Sequence, residues 1–373
     1  MTKLLLPAPY LPDCPHTIAD DLTLAECRDH LTALPPHEAI ERKIGDLFDK
    51  WEQDPDATSP LQDVRGIMDY ARAIPRGDGR LQAMNTIVQN LGDSARLAIF
   101  LDMMRASARR TGSPEELLSF HSRHESKHSL YGWAGQTKLV SSSPAATAAT
   151  LPAEPGVQAM LGEIPASQWG LNLHIWQTNP LAKGFVSGMQ PDSSIVVEPP
   201  HSHPFDFLSK VVIGEMRQST YAQRPSAELQ AGARYGGGVT LMHVHGVWPP
   251  HAEQQQVGVA TLEDRVTIRA GESYYMPCNK IHDVEVDAVR ARTRPAVTLF
   301  LRSEAVVRPH VYMADTMVRY HEAHPDLERS GQRLSDEAWH AKLRLVSAYL
   351  RGEGELSLDD VVRQPSSYAF FHE

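Results

Sequence analysis

"EPPHSHPFDFLSKVVIG" (residues 198–214) places His201 and His203 one residue apart at the head of an apolar run that ends at Gly214. Side chains alternate faces along a strand, so both imidazoles point the same way if the segment is extended. Two imidazoles on one face, roughly 7 Å apart by strand rise, can chelate one metal ion when a neighbouring strand supplies a third ligand. Alone, this spacing fits two surface histidines equally well.

A second stretch, "GESYYMPCNKIHDVEV" (residues 271–286), carries Gly271, Pro277, a tight turn and then His282 at the start of a strand-like run. The two stretches together resemble the paired motifs of the cupin superfamily. Gly214, Gly271, Pro277 and His282 stand in register with those motifs, while Asn279 takes the place of a turn glycine and Val286 closes the second motif. The resemblance covers roughly residues 170–305. It implies an α+β chain with a double-stranded β-helix (cupin) barrel, and His201, His203 and His282 as ligands of one mononuclear divalent metal inside it. The position usually held by a glutamate ligand is Phe207, and Asp206 is the rival fourth ligand if a bulge shifts the register. Three neutral histidines leave open coordination positions, as a catalytic metal requires. Such ligation suits Fe(II) first, and Ni, Mn, Co, Cu or Zn as alternatives.

Within the cupins, "HSHPFDFLSKVVIGEMRQSTY" and "IHDVEVDAVRARTRPAVTLFLRS" are similar to thiol dioxygenases of the cysteine dioxygenase type, and "LNLHIW" (171–176) matches the strand before the first motif. The serine, histidine and tyrosine of that family's last strand are replaced here by Thr298, Phe300 and Arg302. The resemblance implies an Fe(II)- and O2-dependent oxygenase acting on a small polar substrate, such as an amino acid or an amino-acid-derived thiol. An oxygen-independent metal-dependent isomerase, lyase or hydrolase, or a non-catalytic ligand-binding protein, remains open beside it. Arg302 shares strand parity with Thr298 and Phe300, so its guanidinium either clamps a substrate carboxylate or reaches solvent from the strand's end. Tyr275, two residues before Pro277, either packs in the barrel or faces inward and offers a phenol to substrate or bound oxygen. Phe205, Phe207 and Phe300 would form an apolar wall.

Other histidines form clusters by chance among the 18 present. "LMHVHGVWPPH" holds His243 and His245, without a partner motif. "SFHSRHESKH" would place His121, His124 and His128 on one helical face, but no His-Glu-x-x-His pattern accompanies them.

Patterning divides the 373-residue chain. Residues 1–140 read as an N-terminal helical domain. Ile40, Ile44, Leu47 and Trp51 fall at helical spacing, Gly92 ends a second helix, and "SPEE" (113–116) is a capping-box start. Residues 141–156 read as a linker, 157–310 as the metal-binding barrel, and 311–373 as a helical extension capped by Ser335 and ended by Gly352. A net charge of −10 gives no attraction to nucleic acid or anionic membrane. Three widely spaced cysteines argue against a disulfide framework. No stretch reaches the roughly 18 apolar residues of a membrane span, and the N-terminal leucines are too few for a signal core. The expectation is a cytoplasmic protein with a small-molecule substrate and O2 as partners, and a homodimer is compatible with the resemblance.

Overall fold

The computed structural model describes residues 22–56, 59–111, 123–126, 132–143, 167–178, 194–224, 239–246, 256–278, 280–287, 295–306, 310–313, 332–333 and 336–353. Six helices are seen: α1 (Leu24–Ala33), α2 (Glu38–Gln53), α3 (Pro60–Ala73), α4 (Asp78–Leu91), α5 (Ser94–Thr111) and α6 (Asp336–Leu350). The strands are β1 (Arg123–Ser126), β2 (Gly132–Ser141), β3 (Gly170–Thr178), β4 (Ser194–His201), β5 (Phe207–Ile213), β6 (Glu215–Arg224), β7 (Val239–Gly246), β8 (Gln256–Arg269), β9 (Ser273–Met276), β10 (Ile281–Asp287), β11 (Ala296–Arg302), β12 (His310–Met313) and β13 (Gln332–Arg333).

The helices follow their apolar spacing. Ile40, Ile44, Leu47 and Trp51 form the buried stripe of α2, and Trp51 stacks on Phe100 of α5 at 5.8 Å. Gly92 follows the last residue of α4. Trp339, Leu343 and Val346 of α6 are buried, and Gly352 beyond it has a φ of 74°. The 113–116 helix start and Ser335 lie outside the described residues. The segment holding His124 is strand β1 rather than helix, so the helical histidine face is not formed there. His121 and His128 lie outside the described residues. No described helix is long and apolar enough to cross a membrane, and Cys27 and Cys278 are free and buried.

Seven strands form an antiparallel sheet in the order β13-β1-β2-β3-β11-β5-β9. Its central strands are buried on both faces, and alternation along each strand divides their apolar side chains between two cores. Leu171, Leu173 and Ile175 of β3, Leu208 and Val212 of β5, and Val297, Leu299 and Leu301 of β11 pack into one core with the helices. Trp176, Phe207, Val211 and Phe300 face the opposite way, toward Met216, Ile268, Val284 and Val286 of the second sheet. The seven-stranded sheet is therefore a middle layer between helices and second sheet.

The second sheet pairs as a ring of six antiparallel strands, β10-β4-β12-β7-β8-β6. Its β4–β12 seam rests on a single residue pair, His201–Val311. This corrects the expected architecture. The strands of the two histidine motifs do not coil together into one double-stranded β-helix barrel: β4 and β10 belong to the ring, whereas β5, β9 and β11 belong to the open sheet. The physical reason is the apolar face that β3, β5 and β11 turn away from the second sheet. It demands a helical cover, and so commits those strands to a separate layer. The cupin resemblance, with the β-barrel it implied, is not supported by this arrangement.

Buried ion pairs join helices to sheet. Arg80 of α4 donates to Glu304 at 2.6 Å, and the indole N–H of Trp169 donates to the other oxygen of Glu304. Arg76, in the turn between α3 and α4, pairs with Asp206 through both its Nε (2.8 Å) and an Nη (2.9 Å). The start of the 141–156 segment is also held. Ser141 accepts from Arg65, Ser142 accepts from Arg72, and the Ser143 amide donates to Asp69.

Gly214 turns the chain from β5 into β6 at a φ of 73°, and a Cβ there would stand 2.8 Å from the Pro295 carbonyl oxygen. Gly271 has a φ of 94° but open space around it. Gly214→Ala is therefore expected to lower the thermal midpoint by more than Gly271→Ala. The second change carries only the left-handed strain of about 1–2 kcal/mol, and the first adds a backbone clash. Paired thermal denaturation of the two variants checks this ordering.

Candidate metal centre

His201 ends β4, and His282 stands directly opposite it on β10 as its cross-strand partner. Facing positions on paired antiparallel strands bring side chains within about 5 Å at Cβ, so the register delivers the third imidazole. His203 lies just beyond β4, in the loop of residues 202–206. That loop is pinned to the chain after β11: the Val306 amide donates to the Pro204 carbonyl at 2.7 Å, and the Ser303 amide to the Asp206 carbonyl at 2.9 Å. The nitrogens of the three rings lie within 4.8 Å of one another, with His201 Nε2 and His203 Nε2 3.1 Å apart. His282 is buried, while His201 and His203 are partly exposed, so the cluster opens on their side.

The environment of His282 fixes its chemistry. Burial, followed by the neighbouring His201 charge, holds its pKa well below the usual histidine range, so the ring is neutral. Gln218 of β6 is fully buried. Its amide nitrogen donates to the Tyr274 hydroxyl at 3.1 Å, and its carbonyl oxygen faces His282 Nδ1 at 3.0 Å. A carbonyl oxygen only accepts, so Nδ1 carries the proton and Nε2 keeps its lone pair. That Nε2 is buried without a hydrogen-bond partner among the described residues. An orphaned buried acceptor is costly, and a metal ion shared with His201 and His203 satisfies it. The donor set therefore fits a mononuclear site.

Phenylalanines wall the cluster. Phe207 lies edge-on to His203 at 5.0 Å and 5.6 Å from His282, Phe205 stacks on His203 at 5.0 Å, and Phe300 sits 4.7 Å from Phe207. Asp206 is not among the clustered ligands, because Arg76 occupies its carboxylate. The backbones of His243 and His245 run in β7, separated from β4 by β12; their side chains lie outside the described set. Asp283, on the opposite face of β10 from His282, bonds Tyr221 at 2.5 Å, and burial pushes its pKa up to about 7.

Arg302 and Tyr275 go to different places. Tyr275 packs in the helix-side core, and its neighbour Tyr274 is the tyrosine on the histidine side. Arg302 is buried, with its guanidinium over the Phe205 ring at 5.2 Å. A Cβ on Gly170, its cross-strand partner, would meet Arg302 Nε at 2.8 Å, so the glycine makes room for the guanidinium. Its Nη1 has no hydrogen-bond partner among the described residues, and neither has the Thr298 hydroxyl on the same face.

Sequence reading missed Gln218, Tyr274 and Arg76. Gln218 was detectable as a polar residue sharing strand parity with Met216. Nothing in the local sequence marks Arg76.

No protein-family model matches the sequence, and no curated protein matches it. Among solved structures it is similar to hydroquinone 1,2-dioxygenase PnpCD, at 14% identity over 40% of this chain and 66% of that one (TM-score 0.19). The hydroquinone 1,2-dioxygenase of Sphingomonas sp. TTNP3 matches at 10% identity over 38% and 62% (0.19). The L-ribose isomerase of Acinetobacter sp. DL28 matches at 17% over 54% and 76% (0.26). The matched region thus spans less than two thirds of each dioxygenase, and scores this low assign neither fold nor reaction. The expected cupin-type oxygenase, like its cupin isomerase, lyase, hydrolase and ligand-binding alternatives, required a double-stranded β-helix barrel that the strands do not form, and is overturned with it. What stands is a candidate three-histidine metal site at the mouth of the β4–β10 pair.

Proposed function

We propose that this chain is a mononuclear metalloenzyme acting on a small anionic molecule, with His201, His203 and His282 as the ligands and Arg302 as the anchor for the anion. The observation that carries the reading is His282 Nε2: buried, unprotonated and without a hydrogen-bond partner among the described residues, beside two further imidazoles. A bound divalent ion would supply a Lewis-acidic centre with open positions, and a redox-active one if it is iron. Fe(II) is the proposed ion, supported by the all-imidazole donor set and by phenylalanine walls that limit water. This makes the finer assignment a metal-dependent oxidoreductase.

The protein's own groups divide the remaining tasks. Gln218 holds the His282 tautomer, and Tyr274 holds Gln218. Arg302 stays cationic at neutral pH although burial pulls its pKa down to about 10. A desolvated guanidinium favours a carboxylate or similar anion as its partner. The partly exposed side at His201 and His203 is the route of entry.

Metal analysis of purified protein is expected to find about one divalent ion per chain, lost in His282→Ala. A wild-type protein that binds no metal overturns the reading. Gln218→Leu removes the tautomer lock and is expected to weaken metal affinity by about 10–100-fold in calorimetric titration. Arg302→Gln is expected to weaken acetate binding to Co(II)-loaded protein by about tenfold or more, seen in the cobalt absorption bands, with metal affinity retained. Loading with Fe(II) or Zn(II) tests the finer assignment: turnover with Zn(II) equal to that with Fe(II) removes the oxidoreductase.

A further inference from the structure

We infer that Arg76, a residue of the helical layer, positions the metal ligands by holding Asp206; this rests on the metal-centre reading above. The carboxylate of Asp206 is a junction of three chain segments. It lies in the loop that follows His203. Its Oδ1 accepts from the backbone N–H of Cys278 at 2.9 Å, in the turn that leads into His282. The same carboxylate takes both prongs of the Arg76 guanidinium, Nε to Oδ2 at 2.8 Å and Nη2 to Oδ1 at 2.9 Å. The loop's backbone is fixed from a third side, where the Ser303 hydroxyl accepts from the Asp206 amide at 3.1 Å. Two ligand-bearing segments thus converge on one carboxylate, and its neutralising charge comes from outside both sheets.

The arginine is itself fixed. Its turn is braced by Arg80, whose Nε donates to the Ile74 carbonyl at 2.6 Å and whose Nη2 donates to the Arg72 carbonyl at 3.0 Å. The side chains of Arg76 and Asp206 are 3% and 9% exposed, so water does not substitute for either partner. The planar fork is specific to arginine: a lysine there supplies charge without the paired geometry. Removing the fork leaves the Asp206 carboxylate buried without its countercharge and oriented by the Cys278 N–H alone, so the spacing of the His203 loop and the His282 turn loosens.

The test is Co(II) titration of the full chain, followed by visible absorption, with thermal midpoints measured in parallel. Arg76→Lys is expected to weaken Co(II) binding by about tenfold or more and to alter the cobalt bands. Phe100→Leu, a core change in α5 remote from both ligand segments, should lower the thermal midpoint while leaving cobalt affinity within about twofold. If Arg76→Lys does not fold, Asp206→Asn removes the same charge pair and keeps an acceptor for the Cys278 N–H, and the same comparison applies. Cobalt affinity unchanged in the Arg76 or Asp206 variant, or reduced as much by Phe100→Leu, overturns the inference. Failure of the wild type to bind Co(II) would overturn the metal centre itself, a separable outcome.

Discussion

The pairing of His201 with His282 across β4 and β10 is the constraint on which the site depends. It joins two sequence segments far apart in the chain and turns one strand register into a chelating geometry. Everything else at the centre maintains that register. Gln218 reads the back of the His282 ring from the neighbouring strand, and Phe207 packs against the rings of His203 and His282. The result is three imidazoles gathered on one spot, with the His282 ring buried and its Nε2 lone pair turned toward the other two.

That register is supported from outside the ring. The middle sheet is buried on both faces, and its helix-facing side chains bind it to α1–α6 in one continuous core. Its other face supplies the phenylalanines and Arg302. The two buried arginine–carboxylate pairs add direction to this apolar contact, since a hydrogen-bonded pair fixes position where hydrophobic packing fixes only proximity. Truncating one member of such a pair leaves a buried charge and costs about 3–5 kcal/mol.

Much of the site was legible in sequence and less of the fold. The His-x-His spacing and the later His282 picked out the three histidines that cluster, although His203 reaches the cluster from the loop after β4 rather than by strand alternation. The helices were legible from stripes such as Ile40, Ile44, Leu47 and Trp51. The architecture was not, because two-sided apolar strands such as "AVTLFLR" do not say which sheet they join or what covers them. Tyr275 and Tyr274 show the same limit on a smaller scale: a strand of four residues between turns gives too little alternation to set its phase. Asp206 reads as a ligand candidate until Arg76, 130 positions away, is brought against it. Such long-range polar pairing leaves no local pattern.

X-ray absorption at the metal edge of the loaded protein tests the central claim most directly. The account predicts a first shell containing three imidazole nitrogens, recognised by scattering from the outer ring atoms, with the remaining positions filled by light solvent atoms. A shell of carboxylate oxygens without imidazole scattering would contradict it.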